Sequence, residues 1–353
     1  MTTESTPSTH STQKPIVMSG MRTTGFLHLG HYLGVLTNWV HLQNQGLDCY
    51  FMTADWHGLT TKQTDGEGLA HWRRECVLDW LAAGVDPTKA TIYAQSHIPE
   101  IAELHLLLSM ITPNKWCETD PTLKDMVALL RNRSDAEAGQ SSEAMGELTY
   151  GLLGYPVLQT ADILSMGASL VPVGKDQVAH LELSRDVARR FNHLAGQTVF
   201  AEPRPLLTEM PTVLGLDGRK MSKSYDNGIF LSDDEATTLA KVKKGVTDTN
   251  RIKKTDAGTP SLCSGIFPMY QTLATPEVLA TVTQECETAT RGCMACKTQL
   301  AELINETLRP MRERRQALQA DPDTVEAILK AGAEKAREPA SKKLRIVRKV
   351  FHL

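Results

Sequence analysis

Two short strings in this chain carry side chains suited to handling polyphosphate. His28-Leu29-Gly30-His31 sets two imidazoles three residues apart, and Lys220-Met221-Ser222-Lys223-Ser224 sets two ammonium groups among small and flexible residues. At the opening of a helix the histidines fall on one side and can donate to phosphate oxygens. Gly30 lets the backbone approach a nucleotide closely, and the helix N-terminus adds a favourable dipole. The lysines suit a mobile loop that grips a polyphosphate and then lets it go. Lys220 and Lys223 would meet the β and γ phosphates, with Ser222 and Ser224 adding hydroxyls. Each string has a plainer alternative: two surface histidines flanking a turn, and a solvated Lys/Ser loop.

The elements that must position these groups are legible around them. Pro15 to Gly20 reads as a strand and Met21 to Gly25 as a turn, and Leu29, Leu33, Leu36 and Val40 recur at helical spacing between Leu27 and Leu42. Strand, turn and helix open a nucleotide-binding α/β domain, which places Gly20 to Thr23 beside the nucleotide. Asp48 to Thr53 and Ala90 to Ala94 are strand-like around a helical Gly68 to Leu81, an alternation that favours a parallel sheet. Ile101 to Ile111 is helical, and a polar stretch within about 112–150 reads as an insertion between two halves of the sheet. Leu152 to Leu164 and the strand Leu170 to Val173 follow. Beyond Asp226 the pattern changes to amphipathic, charge-rich helices. The expected fold class is α/β, a Rossmann-like parallel-sheet domain (15–225) followed by an all-helical domain (226–353). The Ser/Thr-rich residues 1–14 form a tail. No internal repeat is present.

Composition excludes several classes. The 353 residues are 41% hydrophobic and 22% charged, enough for a sizeable core divided between two domains. No apolar run approaches the roughly 18 to 20 residues needed to span a bilayer, and a signal peptide is not apparent, so a cytoplasmic enzyme with no membrane partner is expected. A net charge of -3 argues against indiscriminate nucleic-acid binding. An RNA partner would have to meet local basic patches.

The two strings, in this order, resemble the HIGH and KMSKS elements of class I aminoacyl-tRNA synthetases. The resemblance narrows with Ser19-Gly20-Met21-Arg22-Thr23-Thr24-Gly25-Phe26-Leu27-His28, Ala54-Asp55-Trp56-His57, Tyr155-Pro156-Val157-Leu158-Gln159-Thr160-Ala161-Asp162-Ile163-Leu164 and Val171-Pro172-Val173-Gly174-Lys175-Asp176-Gln177. These are similar to the bacterial tryptophanyl-tRNA synthetase family from about Pro15 onward. That resemblance implies ATP with Mg2+, L-tryptophan and its cognate tRNA as partners, a homodimer, and an anticodon-binding role for the helical domain. It implies catalytic roles for His28, His31, Lys220 and Lys223. ATP contacts would come from these, from Arg22, Thr23, Thr24, Gly30, Gly174, Lys175 and Asp176, from the backbone at Val213, and from Met221, Ser222 and Ser224. Tryptophan contacts would come from Met18, Gly20, His57, Tyr155, Gln159 and Gln177, with Asp162 accepting the indole N–H. Two departures stand out. Arg22-Thr23-Thr24 replaces the family's frequent Gln-Pro-Ser, and Gln159 stands where many relatives have Met and the tyrosine enzyme has Gln, so Gln159 serves either the α-amino group or packing. Tyrosine is the second candidate substrate. A catalytically silent RNA-binding relative and a small-metabolite nucleotidyltransferase are the other readings.

Four of the seven cysteines, Cys263, Cys286, Cys293 and Cys296, fall within 34 residues with the spacing C-x22-C-x6-C-x2-C. Four thiolates suit tetrahedral zinc or a [4Fe-4S] cluster, and spacing separates neither. A subset of the bacterial tryptophan enzymes has this arrangement, which implies the [4Fe-4S] cluster, with zinc as the alternative. Cys49, Cys76 and Cys117 read as scattered buried thiols. Basic candidates for tRNA phosphate are Lys241, Lys243, Lys244, Arg251, Lys253, Lys254, Arg312, Arg314 and Arg315.

Overall fold

The computed structural model describes residues 14–61, 65–119, 149–174, 178–207, 213–321 and 323–353. Nearly all of the expected tail and most of the expected insertion lie outside the described residues. Strands β1 (Ile16–Met21), β2 (Asp48–Thr53), β3 (Ala90–Ala94), β4 (Leu170–Val173) and β5 (Arg204–Leu207) form one parallel sheet in the order β3-β2-β1-β4-β5. The strand order reverses between β1 and β4, which meet at Val17 and Leu170. In open parallel sheets that reversal is where a crevice opens beyond the strand ends. β2, β3 and β4 occupy the apolar runs that predicted them. β5 was not anticipated: Arg204-Pro205-Leu206-Leu207 is short, begins on a charge and contains a proline, and it lies at the edge of the sheet.

Helices cover both faces of the sheet. The first, α1, runs through Leu29–His31, a π-helical Tyr32–Leu36 and Thr37–Asn44. It is followed by α2 (Asp55–Leu59), α3 (Gly66–Ala83), α4 (Pro99–Ser109), α5 (Asn114–Glu118), α6 (Tyr150–Ser165) and α7 (Val178–Ala195). The strand pleat divides the core. Val17, Met21, Cys49, Phe51 and Ile92 join one apolar cluster, while Met18, Met52 and Tyr93 join the other. Cys49, Cys76 and Cys117 are all buried.

The remaining elements are α8 (Glu235–Lys244), α9 (Phe267–Leu273), α10 (Pro276–Glu287), α11 (Cys293–Gln319) and α12 (Asp323–Val350). Helix α12 returns to the sheet and lies along β3. Val325 and Leu329 feed the first cluster, whereas Ala336, Leu344 and Val347 feed the second. Gly332 is required there, because a Cβ would stand 1.8 Å from the Ile92 carbonyl oxygen.

Helix α11 docks on α3 through charge. Arg315, 7% exposed, donates from Nε to Asp79 Oδ1 at 2.8 Å and also pairs with Glu75. Arg314 donates to the Ala82 carbonyl, Arg312 to Thr238 and Asn305, and Lys241 to Asp233. These four basic residues are engaged within the molecule, but only Arg315 is buried; Arg312 and Lys241 are half-buried and Arg314 is exposed. Burial pushes the Asp79 carboxyl up to about 6 against the pull of Arg315. An Arg315→Met variant leaves that carboxylate without its cation and should lose about 3 kcal/mol at pH 8. The loss should shrink below pH 6, where protonation of Asp79 removes the unpaired charge, as chemical denaturation at the two pH values will read.

Candidate active site

A cavity of about 400 Å³ opens at the strand-order reversal. Its walls are the ends of β1 (Met18, Gly20, Met21), Met52 of β2, the stretch Val171 to Gly174, and the face of α6 that carries Tyr155, Gln159 and Asp162. Steps of four and three residues put those three side chains on one side of the helix. Arg22, His31 and His57 line the same space. The structure thus gathers Met18, Gly20, His57, Tyr155, Gln159, Asp162, Arg22, His31 and Gly174 around one cavity. Thr23 is fully buried and Thr24 half-buried, and neither lines it. Lys175, Asp176 and Gln177 lie outside the described residues.

Asp162 is 1% exposed, and both of its oxygens are held. Gln95 Nε2 donates to Oδ1 at 2.8 Å, and His57 Nε2 lies 2.9 Å from Oδ2. Burial raises the Asp162 carboxyl above the usual carboxylate range, while His57 and Gln95 pull it down. The result is a hydrogen-bond acceptor set into an otherwise largely apolar wall, where an unpaired donor or acceptor is costly.

At the mouth, backbone pairing brings the two phosphate strings together. Leu29 N–H donates to the Ile229 carbonyl at 2.8 Å, and Leu231 N–H to the Leu27 carbonyl at 2.9 Å. His28 forms a bridge opposite Phe230. The His28 and His31 rings lie against each other, tilted by 43° with centroids 3.8 Å apart, and His28 N–H donates to His31 Nδ1 at 3.2 Å. With Nδ1 accepting, the proton of a neutral His31 resides on Nε2, which becomes a donor. Gly30 makes room for this ring contact: a Cβ would lie 3.0 Å from His28 Nδ1 and 3.5 Å from the Val213 side chain. Val213 is buried and its carbonyl accepts from Met221 N–H at 3.0 Å. Lys223 reaches back to the Gly25 carbonyl, 2.7 Å away, whereas Lys220 is exposed. Burial depresses the Lys223 ammonium.

Two residues that sequence reasoning missed support this arrangement. Asn227, 4% exposed, accepts from Ser222 N–H at 2.9 Å and donates to Asp217 and to the Lys220 carbonyl, so one amide braces the lysine loop. Gln95, immediately after β3, is fully buried behind Asp162. The only signal for either was a lone polar residue beside an apolar run.

The four clustered cysteines are all partly buried, near α9, α10 and the start of α11. Burial raises the Cys263 and Cys286 thiols and pushes Cys296 up to about 11, and neighbouring thiols of the set add to each. Among the described residues, no group of three or more His, Cys, Asp or Glu side chains is arranged to hold a metal ion. No described helix is long and apolar enough to cross a membrane.

Residues 10–309 match the family described as tRNA synthetases class I (W and Y). The chain belongs to this family. Among its relatives are the tryptophan–tRNA ligase of Aquifex aeolicus, 39% identical across 96% of this chain and 99% of the relative, and that of Thermotoga maritima, 41% identical across 96% and 99%. The fold is similar to a Campylobacter jejuni tryptophanyl-tRNA synthetase structure complexed with ADP and tryptophan, with a TM-score of 0.82 and 31% identity, covering 96% of this chain and all of that one. The parallel sheet with its reversal point, and the helices after Asp226, are those of a class I synthetase.

In this synthetase both imidazoles should be uncharged at neutral pH. Burial, reinforced by Lys223 and Lys220, lowers His28 to about 4, and burial beside His28 and Lys223 lowers His31 well below its ordinary 6.5. The folded protein then binds fewer protons at His28 than the unfolded chain between about pH 4 and 6.5, so its contribution to stability falls as pH drops through that window. NMR of the histidine rings should find His28 neutral from pH 8 to pH 5; titration near 6.5 would contradict the assignment.

Proposed function

We propose that this chain activates L-tryptophan with ATP and transfers it to its cognate tRNA. The observation that carries the reading is the buried Asp162 acceptor on the wall of a cavity whose mouth is formed by the two phosphate-handling strings. The tryptophan carboxylate attacks the α-phosphorus of ATP, a new C–O–P linkage forms, and pyrophosphate leaves. Charge grows on phosphate oxygens during that step. The Nε2–H of His31 and the ammonium groups of Lys220 and Lys223 would stabilise it, His28 fixes the His31 ring, and the helix N-terminus at Leu29 contributes its dipole. Lys223 has to leave Gly25 to do so, which a short loop permits. The indole would lie among Met18, Gly20, His57 and Tyr155 with its N–H on Asp162, while Gln159 faces the amino-acid end. Arg22, Gly174 and the Val213 backbone would face ATP. Mg2+ would arrive with the nucleotide, held by its phosphates more than by a protein cage.

Finer assignments belong to the same proposal. Residues 15–225 form the catalytic domain, and 226–353 supply the anticodon-binding part. Cys263, Cys286, Cys293 and Cys296 are a donor set of soft thiolates that suits a [4Fe-4S] cluster, with zinc as the alternative. Bound metal would cross-link the Cys263 turn, the end of α10 and the start of α11. A homodimer is supported by exposed Leu106 and Met110 on one side of α4 and by exposed Tyr150 at the start of α6.

Pyrophosphate exchange tested with each of the twenty amino acids should respond to tryptophan. Asp162→Asn should lower kcat/KM for tryptophan by a hundredfold or more, because a polar pocket left mispaired penalises its own substrate. Exchange with tyrosine instead would overturn the specificity. Cys293→Ser should impair tRNA charging at least tenfold while leaving exchange within about twofold; equal loss of both would remove the tRNA-side role.

A further inference from the structure

The side chain directly behind Asp162 is Gln95, and its setting is built rather than incidental. It follows the last residue of β3, sits in a single 3-10 turn (Gln95–His97), and is fully buried outside the cavity wall. Its amide can be oriented in one way only, because Nε2 faces a carboxylate and Oε1 accepts the His57 backbone N–H at 3.4 Å. The turn is pinned by another buried carboxylate. Asp55 accepts from Ser96 N–H at 3.0 Å, from the Ser96 hydroxyl and from Trp56 N–H, and Arg73 approaches its outer oxygen at 3.4 Å. Asp55 therefore ties the segment that carries Gln95 to the helix that carries His57. Those two residues are the partners of Asp162.

The division of labour between them is unequal. His57 lines the cavity and holds Oδ2, whereas Gln95, which does not line it, holds Oδ1. A carboxylate can accept more than one hydrogen bond on each oxygen, so a ligand N–H can join or replace His57 at Oδ2 without disturbing Oδ1. We propose that Gln95 is the positioning residue for substrate selection: its amide holds Asp162 as an oriented anion with Oδ2 presented to the cavity. This rests on the tryptophan reading of the site. Gln95 touches no substrate, and it acts through the plane and charge of the carboxylate.

The test compares Gln95→Met, which keeps length without a donor, with Gln95→Glu in pyrophosphate exchange. Loss of a hydrogen bond to a buried charge should raise KM for tryptophan ten- to hundredfold in Gln95→Met, with kcat and the KM for ATP unchanged. An analogue whose ring sulfur replaces the indole N–H, benzothienylalanine, should be used equally by the wild type and Gln95→Met. In Gln95→Glu two carboxyls face each other, and one protonated member can serve as donor to the other. Its KM for tryptophan should approach that of the wild type at pH 6 and rise at pH 8.5. The other ionisable groups about Asp162 are His57 and Asp55 on α2, Tyr93 on β3 and Arg73 beyond Asp55, with His105 of α4 near His57, and all are common to the three proteins. An unchanged KM for tryptophan in Gln95→Met, or equal impairment with tryptophan and the analogue, would overturn the proposal. Should Gln95→Met fail to fold, Gln95→Glu decides: a KM ratio to wild type that does not change with pH overturns it. If Asp162→Asn leaves tryptophan use intact, the underlying site reading fails instead.

Discussion

The pairing of Leu27 to Leu29 with Ile229 to Leu231 is the constraint on which the site depends. Two backbone hydrogen bonds of 2.8 and 2.9 Å join segments some two hundred residues apart. Without them the paired histidines would open a helix beside no lysines, and the lysine loop would be an ordinary surface turn. Such a pairing exists only when the intervening sheet has formed, so the meeting of the two strings is a product of the whole fold rather than of either string. Asn227 then supplies local rigidity, while Lys223 retains a single 2.7 Å tether to the Gly25 carbonyl. A strongly held frame with one weakly held cation is the arrangement expected of a loop that must move.

Buried carboxylates set the rest of the architecture. Asp55, Asp79 and Asp162 are all withdrawn from water, yet each is stabilised differently. Asp55 receives backbone and hydroxyl donors, which fix a turn. Asp79 receives an arginine from α11, which joins the helical region to the sheet. Asp162 receives a neutral amide and an imidazole, a pairing that leaves room for a further donor from the cavity. The cost of burying charge is of the same kind at all three, and what offsets it decides whether the residue serves local shape, domain docking or recognition.

How much of this was legible in the sequence follows from what pattern can encode. The strands at Asp48–Thr53, Ala90–Ala94 and Leu170–Val173 are apolar runs with clear boundaries, and they stand where they were expected. Nearly all the described cavity residues were recognisable because they sit within motifs. Gln95 and Asn227 were not, since a single amide becomes informative only once its partners are known. β5 escaped because Arg204-Pro205-Leu206-Leu207 begins on a charge and leaves only two consecutive apolar residues after its proline. Arg315 looked like part of a cationic surface because sequence records charge and not depth.

Helix α12 has a consequence for biosynthesis. β3 is an edge strand with all five residues buried, and the segment lying along it belongs to the chain beyond residue 323. While the protein is being made, the sheet can assemble and still present a bare hydrophobic edge until that helix emerges, a state open to pairing with neighbouring chains. The nascent synthetase is therefore most exposed to aggregation late in its own translation, after its histidine and lysine strings have been made.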